Sequence, residues 1–291
     1  MNQIHFEGPR RQDLFDAALR VLRAGDFEDP PWLANHLLSR CLDIPRAALL
    51  LDMQQDVVPR EMERFAEWLG RFTAGEPLAY LEGSCGFYGR DFQVDARVLV
   101  PRADSESLIE AALDHLPADQ PLWLVDVGIG SGCLLLTLLS ELPMALGVGV
   151  DLSAEALQVA LRNRGLLELQ SRCGLLQGSW LAPIARDQPL DLVISNPPYI
   201  EPGEELGRGV AEFEPHLALF TDVGAALAPY RAILAQAQQR LKPSGWLILE
   251  VGAGRAEQVQ GAGQEAGFDW IETREDLGGV PRAVVLRKKG A

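Results

Sequence analysis

The sequence lacks the features that mark secreted, membrane and metal-binding proteins. Its four cysteines (Cys41, Cys85, Cys133 and Cys173) are scattered without a C-x-x-C pair, and its four histidines are isolated. This spacing supports neither a disulfide framework nor a zinc site. We therefore expect free thiols, buried or half-buried, and no metal centre.

Apolar runs of membrane-spanning length are also missing. The first residues, 1–7, contain neither a basic n-region nor an apolar h-region, so no secretory signal is visible. The sequence therefore predicts a cytoplasmic protein that neither spans nor binds a membrane.

Positive charge is scarce. The formal net charge of the 291-residue chain is −15, and Lys and Arg form no cluster. A nucleic-acid-binding domain would carry a basic patch, so the charge argues against direct nucleic-acid binding. The negative field would attract a basic protein partner, although the same acidity can serve solubility alone.

Residues 1–72 predict a small helical bundle. We expect one helix capped by Asp13 and ending at Gly25, a second opened by Asp29-Pro30, and a third opened by Pro59. Apolar residues at helical spacing give each helix a face to bury. These are Leu14, Phe15, Ala18 and Leu22 in the first helix, Leu33, Leu37 and Leu38 in the second, and Met62, Phe65, Leu69 and Phe72 in the third.

Residues 73–104 predict a linker that contains a short β-hairpin. Its strand candidates, 78–82 and 86–94, contain aromatic residues with Gly83, Gly86 and Gly89 between them. The pattern of residues 105–291 then alternates between strands and helices. Helical segments between the first six strands favour a mostly parallel sheet covered on both faces. The last two strands are too close in sequence for a crossover helix, so the final strand should be antiparallel. The seven predicted strands are 122–127, 146–150, 174–177, 190–195, 245–250, 269–273 and 282–287.

Residues suited to ligand binding recur where the predicted strands end. The first strand runs through Asp126 into a glycine loop, Gly128-Ile129-Gly130-Ser131-Gly132, and the second ends at Asp151, whose carboxylate could bind both hydroxyls of a ribose. The third is followed by Trp180, whose ring could cover an adenine. Each feature also has a simpler explanation. The glycine loop could be a plain strand–helix turn, Asp151 a helix cap, and Trp180 a core residue. The G-x-G-x-G spacing differs from G-x-G-x-x-G and disfavours a nicotinamide-dependent oxidoreductase.

The most informative motif is the quartet Asn196-Pro197-Pro198-Tyr199, directly after the strand 190–195. Two prolines fix two φ angles at about −65° and remove two backbone donors, while their carbonyls stay free to accept hydrogen bonds. The quartet thus presents a side-chain amide, bare carbonyls and an aromatic ring. This combination suits a planar NH2 group and indicates an amino-group methyltransferase.

The glycine loop, Asp151 and the quartet resemble class I S-adenosylmethionine-dependent methyltransferases. More narrowly, the chain resembles the HemK family of bacterial peptide chain release factor N5-glutamine methyltransferases, over nearly its whole length. It departs from the family pattern at Ala103, where proline is expected, at Ser105, where threonine is expected, and at Ser179, a position often acidic in methyltransferases. The further motifs that carry the resemblance are Gly75-Glu76-Pro77-Leu78-Ala79-Tyr80, Val100-Pro101-Arg102 with Glu106, Gln177-Gly178-Ser179-Trp180, Phe213-Glu214-Pro215 and Asp276-Leu277-Gly278-Gly279-Val280-Pro281-Arg282.

The resemblance implies a Rossmann-like, seven-stranded, mostly parallel α/β sheet with an antiparallel last strand, preceded by a helical substrate-recognition domain. The implied reaction methylates the side-chain N5 of the glutamine in the GGQ motif of release factors 1 and 2. S-adenosylmethionine would be the cofactor, S-adenosylhomocysteine the product, and no metal would take part.

The resemblance also implies roles for individual residues. Asn196, Pro197 and Tyr199 would be catalytic, with Pro198 completing the substrate site and a loop at 201–209 near the substrate. The cofactor would be held by Gly128, Ile129, Gly130, Ser131, Gly132, Asp151, Trp180 and Asn196. Phe87, Arg102 and Asp126 are further candidates, with core packing for Phe87 and a surface ion pair for Arg102 as the alternatives.

Three other functions stay open. A ribosomal protein L3 glutamine methyltransferase would share the quartet, as would a nucleic-acid adenine N6 methyltransferase, which the acidic charge disfavours. The third is a non-catalytic module that binds the cofactor and docks a translation factor through residues 1–72. We expect the protein to be a monomer.

Overall fold

The computed structural model describes residues 4–290 and divides the chain into two compact units. The first unit runs to Glu82 and includes Gly207–Phe213, and the second comprises Gly83–Leu206 and the residues from Glu214 onward. Within residues 4–290, no helix has the length and apolar character needed to cross a membrane.

The first unit is helical, as predicted. Its helices are α1 (Arg11–Ala24), α2 (Pro30–Leu42), α3 (Arg46–Leu51), α4 (Pro59–Thr73) and α5 (Leu78–Glu82). The predicted inward residues form one core. Leu14, Ala18, Leu22, Leu37, Leu38, Phe65 and Leu69 are fully buried, while Phe15, Leu33, Met62 and Phe72 pack at its margin.

The starts of α2 and α4 follow the predicted proline signals, but the predicted cap of α1 is wrong. Asp29 caps α2 by accepting a hydrogen bond from the Trp32 N–H at 3.2 Å. Asp13 instead lies in the first turn of α1, where its carboxylate accepts the Arg10 N–H at 3.0 Å. A carboxylate at the third helical position can accept the backbone N–H of the N-cap residue, which would otherwise lack a partner.

The predicted strand at 78–82 is also wrong, because these residues form α5. Leu, Ala and Glu are good helix formers, and Pro77 stands just ahead of the helix, where proline is tolerated. The hairpin itself lies in the second unit, between β1 (Ser84–Phe87) and β2 (Arg90–Gln93), which pair antiparallel.

Residues Gly207–Phe213 pack with the helices of the first unit, although they follow the quartet in sequence. The Arg208 guanidinium lies 4.2 Å from the centre of the Phe27 ring and donates to the Gly25 carbonyl at 3.1 Å. Gly209 fits so closely against Gly75 that a Cβ built on it would overlap the Gly75 carbonyl. The end of the predicted loop at 201–209 is therefore fixed by helical partners.

The second unit is built on a seven-stranded sheet. The strands are β3 (Trp123–Val127), β4 (Leu146–Asp151), β5 (Cys173–Gln177), β6 (Leu190–Ser195), β7 (Leu241–Glu250), β8 (Phe268–Glu275) and β9 (Pro281–Lys288). Their order is β5-β4-β3-β6-β7-β9-β8, and β9 alone runs opposite to the other six strands, which confirms the predicted sheet. The order reverses between β3 and β6, and open α/β sheets bind ligands outside the carboxyl ends at such a point.

The remaining helices are a 3-10 turn (Ala103–Ser105), α6 (Glu106–His115), α7 (Cys133–Glu141), α8 (Ala154–Leu166), α9 (Val210–Phe213, in the first unit), α10 (His216–Leu219), α11 (Ala228–Arg240) and α12 (Ala256–Glu265). The helix expected between β5 and β6 is absent, because residues 178–189 form turns interrupted by two prolines.

Two apolar cores lie on the two faces of the sheet. The core that includes Leu108, Leu135 and Ala160 packs under α6, α7 and α8, and the core that includes Ile233 and Val259 packs under α11 and α12.

Candidate active site

A cleft of about 870 Å³ opens at the carboxyl ends of β3, β4, β5 and β6. Parallel strands place these four ends along one edge, so motifs that are distant in sequence meet there. The structure brings most of the predicted site residues into its wall, namely Gly128, Ile129, Gly130, Ser131, Asp151, Trp180, Asn196, Pro198 and Arg102.

The glycine loop takes a conformation that only glycine adopts easily. Gly128, Gly130 and Gly132 have φ angles of +80°, +54° and +88°. The loop is tied to β4, since the Gly128 N–H donates to the Val150 carbonyl at 2.8 Å. Gly132 is the residue before α7 and lies outside the cleft wall, where it packs against Leu136. The loop therefore brings bare backbone and a helix N-terminus to the cleft.

Asp151 orders the loop from the end of β4. One of its carboxylate oxygens accepts the Gly130 N–H at 2.9 Å, and the other accepts the Ser153 N–H at the same distance. Burial raises the pKa of Asp151, and the hydrogen bonds from Gly130, Ser153 and Leu152 offset part of that rise. The carboxylate is therefore held at the cleft wall with a fixed orientation.

Trp180 follows β5 and lines the opposite part of the cleft. Its φ angle of +50° lies in the left-handed region, which costs about 1–3 kcal/mol for a bulky residue. One side of the ring packs against the apolar core beneath α11. Backbone strain of this kind collects at ligand sites, and it places an aromatic ring at the cleft.

Sequence reasoning missed Asn163, which holds the far side of the glycine loop. This α8 residue is 1% exposed and donates to the carbonyls of Ser131 at 2.8 Å and Gln93 at 2.9 Å. Its side-chain oxygen accepts the Gln93 N–H at 2.7 Å. The available signal was a polar residue on the helix face that also carries Val159 and Ala160.

Asp126 is a buried carboxyl beneath the glycine loop. It is 1% exposed, and neither of its oxygens has a hydrogen-bond partner among residues 4–290. Burial raises the pKa of Asp126 to about 7; the nearby Leu135 N–H offsets part of the rise, and Asp151 adds to it. A buried carboxyl without a partner is expensive to ionise. Asp126 was a candidate for the site, but it does not line the cleft.

The Asp126 pKa predicts how stability depends on pH. Because the folded protein holds the proton more tightly than the unfolded chain, the stabilising contribution is present below pH 3.8 and is lost as the pH rises through about 7. We expect Asp126→Asn to remove this decline in the free energy of unfolding with rising pH, which is on the order of 4 kcal/mol at most. Thermal unfolding between pH 5 and 8 measures this, with the exposed Asp119→Asn as control. Equal pH slopes in both variants would contradict the prediction.

The quartet leaves the sheet beside the glycine loop. The Ser195 hydroxyl donates to the Val127 carbonyl at 2.6 Å and so joins the end of β6 to the end of β3. Asn196 and Pro198 then line the cleft, whereas Pro197 is buried. The half-buried Tyr199 turns to the neighbouring strand, where its ring packs so tightly on Gly252 that a Cβ there would lie 2.8 Å from it.

Two other candidates have different surroundings. Phe87 is 2% exposed and packs edge-on against Phe92 in the core, away from the cleft wall. Arg102 lines the cleft and forms an ion pair with Glu214, whose side chain is only 1% exposed. Glu214 also accepts the Val100 N–H at 3.0 Å. The partner of Arg102 is thus a buried carboxylate that stiffens the cleft wall.

Family models and known proteins both match this chain. A family model described as the PrmC N-terminal domain matches residues 13–83, and one described as the methyltransferase small domain matches residues 105–213. A release factor glutamine methyltransferase of Koribacter versatilis is 38% identical over 94% of this chain and 97% of its own. The same enzyme of Rhodospirillum rubrum is 37% identical over 96% of this chain and 85% of its own.

The chain belongs to the release factor glutamine methyltransferase family. Among solved structures, a methyltransferase from Pyrococcus furiosus superposes on 70% of this chain and 91% of its own, with a TM-score of 0.52 and 14% identity. That likeness supports the methyltransferase fold.

The cleft fits the cofactor that this family membership implies. S-adenosylmethionine carries a ribose, an adenine and positively charged groups. The cleft offers a fixed carboxylate at Asp151 and an aromatic ring at Trp180. Positive φ angles in the loop keep its backbone free of side chains where a ligand would approach.

Proposed function

We propose that this protein transfers a methyl group from S-adenosylmethionine to the side-chain N5 of the glutamine in the GGQ motif of release factors 1 and 2. The observation that carries the proposal is the position of the quartet, whose Asn196 shares one cleft wall with the glycine loop and Asp151. The names of the relatives support a glutamine substrate.

In this proposal Asp151 binds the ribose hydroxyls, Trp180 covers the adenine, and the glycine loop (Gly128–Gly132) follows the rest of the cofactor. Asn196 contributes to both the cofactor and the substrate sites. When bound, S-adenosylmethionine supplies an electrophilic methyl group on its sulfonium. No metal is needed, since the donor is already activated.

The substrate amide is a poor nucleophile, because its nitrogen lone pair is delocalised into the carbonyl. We assign the Asn196 side-chain oxygen and the Pro197 carbonyl as acceptors for the two hydrogens of the substrate NH2. These bonds orient the nitrogen and favour partial pyramidalisation, which directs its lone pair toward the donor. Pro198 keeps the turn rigid, and Tyr199 packs against the amide plane. As the nitrogen takes the methyl group from the sulfonium, S-adenosylhomocysteine is left and one of the two N–H protons passes to solvent. Catalysis is then mainly positioning by fixed dipoles.

The helical unit is proposed to recognise the release factor, while residues 83–206 and 214–290 carry out the transfer. The net charge of −15 would favour a basic surface on that partner. We further propose a monomeric, cytoplasmic enzyme that contacts the nucleic acid of the ribosome only through its protein substrate.

The test is methylation of purified substrates. The protein is incubated with labelled S-adenosylmethionine and, separately, with release factor 1, release factor 2 and ribosomal protein L3, and mass spectrometry locates the modified residue. We expect one methyl group on the GGQ glutamine, and none on a release factor in which that glutamine is replaced by asparagine. Label on ribosomal protein L3 alone, or on no protein, would overturn the proposal.

A further inference from the structure

A second buried carboxyl lies behind the quartet and takes no part in the proposed mechanism. Glu250 is the last residue of β7 and is 2% exposed. Its side chain accepts a hydrogen bond from the Ser105 hydroxyl, and its backbone carbonyl accepts one from the Tyr230 hydroxyl at 3.0 Å. Burying a carboxyl group is costly, so a buried carboxyl with a defined hydrogen-bond partner indicates a structural or functional role.

Ser105 connects Glu250 to the cleft. It is 3% exposed and belongs to the short 3-10 turn that follows Arg102, and both residues line the cleft wall. The Ser105–Glu250 hydrogen bond therefore joins this wall to the end of β7. Since β7 lies beside β6, it also joins the wall to the strand that delivers the quartet.

Tyr199 of the quartet lies in the same surroundings. Its ring packs against Gly252, two residues beyond Glu250, at a distance that leaves no room for a side chain. Burial raises the pKa of Tyr199 to about 12, and Glu250 is the charged neighbour that adds most to this rise. The end of β7 therefore affects Tyr199 in two ways. Gly252 packs against its ring, and the charge of Glu250 acts on its hydroxyl.

The other charged groups around Tyr199 are already paired. Arg282 bridges Asp104 and Asp276, each at 2.9 Å, and Arg102 is paired with Glu214. Glu250 is left with a hydroxyl group as its neutral partner. Burial consequently raises the pKa of Glu250 to about 7, although Ser105, Arg282 and Arg102 each lower it and Asp104 raises it further.

We infer that Glu250 is a positioning residue of the transfer site, which fixes Ser105 in the cleft wall and Tyr199 of the quartet against Gly252. The inference rests on the proposed function for its kinetic consequence, but the placement of Tyr199 can be measured without any turnover. Glu250 acts through the other two residues and does not itself contact substrate.

Tyrosine NMR tests the placement. The sequence has four tyrosines, so Cζ labelling gives four signals, and Tyr199→Phe identifies the relevant one. We expect the Tyr199 signal to shift with a midpoint near pH 7, as Glu250 ionises, and this step to vanish in Glu250→Gln. A Tyr199 signal that behaves identically in both proteins would overturn the inference, whether or not the protein methylates glutamine.

Kinetics test the consequence. Misplacement by about 1 Å can cost about 100-fold in rate, so Glu250→Ala should lower kcat by roughly 10- to 100-fold, with the KM for S-adenosylmethionine within about threefold of wild type. Glu250→Gln can still accept the Ser105 hydroxyl and should retain most of kcat.

Two kinetic outcomes would overturn the inference, namely an unchanged kcat in Glu250→Ala and a defect confined to the KM for the cofactor. If Glu250→Ala does not fold, Ser105→Ala replaces it and should show the same fall in kcat. A wild-type protein that methylates no glutamine would refute the proposed function, and the tyrosine signals would still decide the role of Glu250.

Discussion

Replacing Asn196 by alanine should lower the rate of glutamine methylation by about 100- to 1,000-fold, with the affinity for S-adenosylmethionine changed much less. The side-chain oxygen of Asn196 is one of the two acceptors proposed for the substrate NH2. Without it, the nitrogen is neither oriented nor pyramidalised. Single-turnover kinetics with saturating cofactor measure the chemical step, and calorimetry measures cofactor binding.

Asn35→Ala is the matched control for this prediction, because it removes the same amide from within α2 of the helical unit, where the amide donates to the Pro31 carbonyl at 2.8 Å. It should leave the chemical step intact. Turnover that is unchanged in Asn196→Ala would remove Asn196 from the mechanism. An equal loss in cofactor affinity would instead assign it to the cofactor alone.

Replacing Asp151 by alanine should weaken cofactor binding by about 10- to 100-fold, since hydrogen bonds to a charged group contribute about 1.5–3 kcal/mol. The variant loses the proposed ribose contacts and also the hydrogen bond that orients the Gly130 N–H, 2.9 Å away in the structure. Both losses act before the chemical step. Calorimetric titration with S-adenosylhomocysteine, which cannot react, isolates the binding term.

Asp191→Ala is the control for this prediction. Asp191 also accepts a backbone N–H, that of Trp123 at 2.8 Å, but it stands at the start of β6, on the opposite edge of the sheet. Affinity should be close to wild type in this variant. Equal losses of affinity in the two variants would show that general destabilisation, not the ribose contact, explains the result.

The architecture was largely predictable because it depends on patterns within short segments. Apolar runs located all seven strands of the main sheet, and the short link before residues 282–287 correctly required β9 to be antiparallel. The errors arose where local signals conflict. Aromatic residues and glycines suggested a strand at 78–82, yet the helix-forming side chains there bury Tyr80 and Leu81 from α5.

The site was predictable to the extent that topology collects motifs at strand ends. Asp151 and Asn196 could be assigned to one cleft because both follow parallel strands. Pairings between distant segments could not be foreseen. Asn163 meets the glycine loop and Glu250 meets Ser105 only in the folded chain, and an isolated buried polar residue does not name its partner.

The discontinuous helical unit has a consequence for dissecting or exchanging parts of the protein. A fragment that ends at Glu82 would leave the Phe27 ring and the Gly75 carbonyl without Arg208 and Gly209. A fragment that begins at Gly83 would carry residues 207–213 with no surface to receive them. A chimaera that takes the helices of a relative would therefore need the segment up to Glu82 and residues 207–213 from the same parent, because the two pack as one unit.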